Sequence, residues 1–230
     1  LPLDLAAATA WHALATGVAG AALALPLWVW FEHRARLASP ADARARLAEL
    51  QSRIRPHFLF NALNTAIALV RVDPERAEEV LEDLSELFRV VLAEAGASVS
   101  LDEEVELAKR YLAIEQIRFG GRMHVKWQLD AAAGAARVPP LVLQPLVENA
   151  VRHGIESTAG GGRIEITTMA KRGMASVLVS NSVGDAPARP GAGIALANVR
   201  ERLKLLHDMG GSLETWREGD TFRARLMVPL

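Results

Sequence analysis

Between Leu5 and Phe31 the sequence carries no Asp, Glu, Lys or Arg. An uncharged run of that length exceeds the roughly 20 residues with which a helix crosses a bilayer. It restricts this part of the chain to a membrane span, a deeply buried core helix or a signal peptide. Trp11 lies near one end and Trp28 and Trp30 near the other, as interfacial aromatics do. His33, Arg34 and Arg36 come directly after the run, whereas a signal peptide carries its positive charge ahead of it. Residues 1–36 are therefore read as a transmembrane helix with a juxtamembrane basic segment, Pro26 being a tolerated kink. The positive-inside rule places the chain beyond Arg36 in the cytoplasm, with the helix in the cell inner membrane. The chain opens on Leu rather than Met and reads as a fragment, with room for further spans upstream whose number is left open. His12, inside the run, reads as a packing or interfacial residue.

Behind the apolar run the composition is ordinary. Formal net charge over the 230 residues is −1, which gives no global signal for a polyanion and argues against direct nucleic-acid binding. The absence of cysteine excludes a disulfide framework, Cys-ligated zinc and a thiol nucleophile.

Residues 37–96 read as a helical hairpin. Leu47, Leu50, Ile54 and Phe58 mark one apolar face of a first helix running from Ala41 to about Val70. Val72-Asp73-Pro74-Glu75 breaks it, with Asp73 as N-cap and Pro74 at the first position of a second helix ending near Ala95. Val80, Leu81, Leu84, Leu87, Phe88 and Val91 form a wide apolar stripe on that helix. Two helices cannot bury both stripes alone, so pairing with a second copy into a dimeric four-helix bundle is expected. Pro56 in mid-helix removes a backbone hydrogen bond and kinks the chain beside His57. His57 lies one position off the Phe58 face, on the flank of the bundle, where a neutral imidazole can attack a phosphoryl group. A partly exposed helical histidine without chemistry fits the same spacing.

A second constellation lies at Leu143–Gly154, L-Q-P-L-V-E-N-A-V-R-H-G. Leu143, Leu146, Val147, Ala150 and Val151 recur at helical spacing. Gln144, Glu148, Asn149, Arg152 and His153 occupy the polar face, near the end that Gly154 is expected to terminate. A carboxamide beside a carboxylate on a helix lining a pocket can hold a hydrated Mg²⁺ on nucleotide phosphates. A surface helix with solvated polar residues accounts for the pattern equally well.

The remaining segments give an α/β order. Gly96-Ala97-Ser98 reads as a hinge, and Ser100 with Glu103 as a capping box opening a helix to about Phe119, stopped by Gly120-Gly121. Met123–Leu129 alternates as a strand. Gly160-Gly161-Gly162 leads into strands Ile164–Met169 and Ala175–Ser180 joined by Lys171-Arg172-Gly173, and Ser212–Arg217 with Thr221–Val228 form a terminal hairpin.

R-P-H-F-L-F-N-A-L-N (Arg55 to Asn64), succeeded at this distance by L-Q-P-L-V-E-N-A-V-R-H-G, resembles the sensor histidine kinases of the LytS/YehU type, whose ATP-binding domain is of the GHKL group. The resemblance covers about Ala45 to Leu230. It implies an α+β architecture: a membrane helix, the bundle-forming hairpin, and a GHKL-type α/β sandwich over 97–230. His57 would then be the phosphoacceptor, and Asn149 the Mg²⁺-binding asparagine, with Glu148, His153 and Gly154 on the nucleotide side. Asn181 stands where the family carries an aspartate on the adenine amino group, and its carboxamide can still accept that hydrogen bond, without charge assistance. G-A-G-I-A-L-A-N-V-R-E-R-L (Gly191 to Leu203) matches the second glycine box, so Gly191 and Gly193 bring backbone amides to phosphates. Asn198 and Arg202 reach the phosphates, Arg202 being equally explicable as a surface ion-pair residue, and Thr221 falls where the family has a Thr near the nucleotide, though a simple strand residue fits there equally. Asp185 to Pro190 would be the ATP lid. Glu115 and Arg118, a family E-x-x-R, read as structural polar residues. Phe58 occupies the place after the histidine that is acidic in many such kinases, which leaves the general base unassigned. Asn61, one turn on, orients the ring.

The implied activity is ATP·Mg²⁺-dependent autophosphorylation of His57 in a membrane-bound homodimer, then transfer to an aspartate of a response regulator of the LytTR type. The rival reading is a catalytically weak or inactive scaffold that regulates by binding. A GHKL ATPase that only hydrolyses would leave His57 without a role.

Overall fold

A computed structural model of the chain describes residues 22, 24–30, 32, 56–92, 98–183, 192–208 and 210–230. The chain divides into two compact units, Leu1–Arg53 and Ile54–Leu230. In the first, residues 24–30 are helical and Leu25, Leu27, Trp28, Val29 and Trp30 are exposed. Among the described residues no helix is long and apolar enough to cross a membrane. Most of the expected span lies outside those residues, as do Leu47, Leu50, Ile54, the Gly96-Ala97 hinge and the 185–190 lid.

The second unit opens with α1 (Pro56–Leu69) and α2 (Pro74–Leu92). Pro56 is the first described residue of α1, and residues 33–55 ahead of it lie outside the described residues. Asp73 starts α2 as its sequence suggests: its Oδ1 accepts from Arg76 N (3.3 Å), and Pro74 needs no amide partner at the first helical position. On α2 the buried row is Ala77, Val80, Leu84, Leu87 and Val91. Leu81, expected in that stripe, is exposed, and so are Phe60, Leu63 and Ile67 on α1.

Helix α3 (Leu101–Phe119) begins with a complete capping box: Ser100 Oγ accepts from Glu103 N (3.2 Å) and Glu103 Oε2 accepts from Ser100 N (2.7 Å). Gly120, at a φ of 57°, turns the chain out of it. Then come β2 (Met123–Gln128), α4 (Gln144–Val151), β4 (Gly162–Lys171), β5 (Met174–Ser182), α5 (Ala192–His207), β6 (Ser212–Glu218) and β7 (Thr221–Pro229). Short strands β1 (Val99–Ser100) and β3 (Arg137–Val138) pair antiparallel beside the start of α3.

The main sheet is mixed, in the order β2-β4-β5-β7-β6, with β2 parallel to β4 and the other neighbours antiparallel. Ile164, Ile166, Val177, Val179, Ala224 and Leu226 are buried on the face covered by α3, α4 and α5, and residues alternate outward between them. The register sets Ile164 opposite Asn181 and Asn181 opposite Phe222, so these three share the helix-covered face. The hairpin joins the same core. Phe58 on α1 stacks on Tyr111 of α3 with centroids 4.7 Å apart, and Arg110 on α3 pairs with Asp83 on α2 at 2.9 Å.

Candidate active site

His57 is exposed on α1, because burial of its neighbour Phe58 against Tyr111 turns the next side chain to the flank. Its Nδ1 lies 3.1 Å from Asn61 Nδ2, one turn on. In this orientation the amide donates and the ring proton sits on Nε2. Exchange of the amide's O and N, which are nearly identical in shape, lets Nδ1–H donate to Oδ1 and leaves the Nε2 lone pair free toward solvent. Thr65 Oγ1 donates to Asn61 O (2.9 Å) and ties that turn down.

The polar face of α4 is held from behind by a buried carboxylate. Glu104 on α3 is 3 % exposed and accepts from Leu141 N (2.5 Å) and Leu143 N (3.0 Å). Burial raises its pKa; the amides of Leu143, Leu141 and Val142 and the charge of Arg202 act against that rise. Arg202, the candidate phosphate ligand on α5, donates from Nη2 to Pro140 O in the same loop. On α4, Gln144 Nε2 donates to Glu148 Oε1 (3.1 Å), Glu148 is buried and Asn149 is half-buried.

Gly154 does not end the helix. After Val151 the chain continues as a π-helical turn, Arg152–Glu156, carrying His153 and a buried Gly154. Gly154 is required by close approach rather than by a left-handed φ. A Cβ there would lie 2.9 Å from Ser182 O and 3.0 Å from the Asn181 side chain. The turn is thus wedged against the end of β5, bringing together Gly154 and Asn181. Asn181 is 2 % exposed and donates from Nδ2 to Ser182 O (2.8 Å), leaving Oδ1 as its acceptor.

Thr221 is not brought to that face. It pairs with Ser182, one register position from the Asn181–Phe222 pair, and so points to the opposite side of the sheet. There, with Arg163, Glu165, Ser180 and Arg223, it lines an open groove of about 660 Å³. Phe222 occupies the Asn181 side, a position the sequence reading passed over. Asn198 is exposed on α5, Gly193 lies in the first turn of that helix, and Gly191 is outside the described residues.

Behind the π turn lies a charge cluster that spacing only half revealed. Arg118 Nη2 is 2.7 Å from Glu115 Oε2 and 2.6 Å from Glu156 Oε1. Glu115 is 3 % exposed, and its pKa is pushed up to about 7, first by burial and then by the Glu156 and Glu148 carboxylates, with Arg118 opposing. The E-x-x-R spacing signalled the Glu115–Arg118 pair, but nothing in the sequence announced Glu156 as its third member.

Among the described residues no cluster of three His, Cys, Asp or Glu side chains could hold a metal. Asn149, a half-buried carboxamide, fits the way Mg²⁺ is commonly held beside a nucleotide, by one or two protein oxygens with phosphates and water completing the octahedron.

Architecture and site together give a hairpin exposing a histidine, coupled to an α+β domain with a mixed sheet. The histidine kinase family model matches residues 45–123. LytS of Staphylococcus saprophyticus, a sensor protein, is 34% identical over 199 residues, covering 80% of this chain and 34% of that one. The sensor histidine kinase YpdA of Escherichia coli is 35% identical over 179 residues, 73% of this chain and 31% of that one. YwpD of Bacillus subtilis is 36% identical, covering 74% of this chain and 64% of its own. The chain thus spans about a third of the length of the LytS and YpdA relatives. Over most of its length the chain is thus similar to sensor histidine kinases of the LytS type.

Proposed function

We propose that the protein autophosphorylates His57 from ATP and passes the phosphoryl group to an aspartate of a response regulator, of the LytTR type. The observation that carries this reading is the exposed His57 imidazole, paired at Nδ1 by Asn61 on a hairpin packed against the catalytic domain. With Asn61 accepting from Nδ1–H, Nε2 attacks the γ-phosphorus, the P–N bond forms and the bond to the ADP oxygen breaks. Asn61 stabilises the positive charge that develops on the ring, but a carboxamide does not take its proton. Asn149 would hold Mg²⁺, which neutralises phosphate charge. Glu148, His153, Gly154 and Asn181 line the nucleotide side, with Gly191, Gly193 and Asn198 at the phosphates. Arg202 acts at one remove, through Pro140 and Glu104.

The exposed row Phe60, Leu63 and Ile67 on α1 supports pairing with a second copy into a four-helix bundle. Attachment to the inner membrane by the N-terminal helix, with the catalytic part in the cytoplasm, rests on the uncharged run and the basic residues after it. The test is incubation of the chain with γ-labelled ATP and Mg²⁺. Acid-labile, alkali-stable label that disappears in His57→Gln and in Asn149→Ala is the expected outcome. Nucleotide binding without label would replace the kinase by a scaffold.

A further inference from the structure

The π turn Arg152–Glu156 is a wide, uncommon departure from α geometry, so its surroundings must fix it. On the sheet side it rests on Asn181 and Ser182 through Gly154. On the other side Arg118 reaches across from α3. The guanidinium is largely buried, lies 4.2 Å from the centre of the Phe119 ring, and through the same Nη2 ion-pairs with Glu115 on its own helix and donates a hydrogen bond to Glu156 at the end of the turn. The Glu148 and Glu156 carboxylates also act on Glu115. Acidic groups thus gather behind the segment meant to face an anionic nucleotide, and Arg118 is the cation bonded among them.

We propose that Arg118 is a positioning residue of the nucleotide site: by bridging Glu115 and Glu156 it fixes the turn bearing His153 and Gly154 and sets the affinity for a nucleoside triphosphate. The inference rests on the nucleotide-binding reading above. Arg118 touches no reacting atom, so its loss weakens binding and spares the chemical step, the signature of uniform binding.

The experiment measures Mg·ATP binding by calorimetry and His57 phosphorylation against ATP concentration, using the full 230-residue chain, Arg118→Met, Arg118→Lys and Glu156→Gln. Arg118→Met should raise the Mg·ATP Kd and the KM about tenfold, the scale of one lost charged hydrogen bond, with the rate at saturating ATP within about twofold. Both contacts use one nitrogen, so the Lys variant, which supplies a point charge, should recover most of the affinity. Glu156→Gln opens only the turn side of the bridge and should raise Kd several-fold; it decides the matter if Arg118→Met does not fold. Unchanged Kd in folded Arg118→Met or in Glu156→Gln, or a lost rate with Kd unchanged, would overturn the inference and leave the nucleotide reading intact. No Mg·ATP binding by the unsubstituted chain would overturn that reading, and the inference with it.

Discussion

Replacing Glu115 by Gln should flatten the pH dependence of stability. The carboxyl is 3 % exposed, and its pKa stands at about 7 in the folded protein against an ordinary 4.5. The folded state therefore binds a proton that the unfolded chain has released at the same pH. The extra stability is full below pH 4.5 and is lost as pH rises through 7. At about 1.4 kcal/mol per unit, the gap amounts to about 3 kcal/mol. Glutamine keeps the volume and the neutral form but does not titrate. Urea denaturation at pH 5 and pH 8, monitored by Trp127 and Trp216 fluorescence, gives the comparison directly. The unsubstituted chain should lose about 2.5 kcal/mol more than Glu115→Gln between the two. The difference cancels every group common to both proteins. Parallel losses would refute the argument, because Glu115 would then ionise alike in folded and unfolded chains.

Three further outcomes rest on packing and pairing. Phe58→Ala removes a buried ring stacked on Tyr111 and should cost about 3 kcal/mol in urea denaturation. Asp83→Ala, which breaks only a half-exposed ion pair with Arg110, should cost under about 1 kcal/mol by the same measurement. Gly154→Ala pushes a methyl into Ser182 O and the Asn181 side chain. It should destabilise by about 1–3 kcal/mol and weaken Mg·ATP binding measured by calorimetry.

Local chemistry was legible in the sequence and long-range placement was not. The Ser100–Glu103 box, the Asp73–Pro74 start and the turn at Lys171-Arg172-Gly173 depend on residues within four positions, and each is found where the sequence puts it. Thr221 illustrates the limit. A strand alternates with period two, so its face is fixed only by the partner's register, and pairing with Ser182 sends the hydroxyl away from Asn181. Gly154 reads as a helix stop because glycine commonly is one; its actual constraint, the Ser182 carbonyl on β5 that would lie 2.9 Å from a Cβ at this position, is 28 residues further along the chain. Glu104 and Arg202 look like surface charges on amphipathic helices. Each is bonded to the loop before α4, which no periodicity connects to either helix.

The seating of Glu104 reaches beyond support. Its carboxylate accepts from Leu141 N and Leu143 N, Pro145 has no amide hydrogen, and Leu146 N donates to Leu143 O. A helix start is ordinarily a cradle for anions, yet this one already has an acid of its own lying across it. A polyphosphate approaching α4 finds the amides of Leu141 and Leu143 already taken and a carboxamide at Asn149 along its side. Attraction for an anion then falls to the head of α5 or to a bound cation rather than to the head of α4.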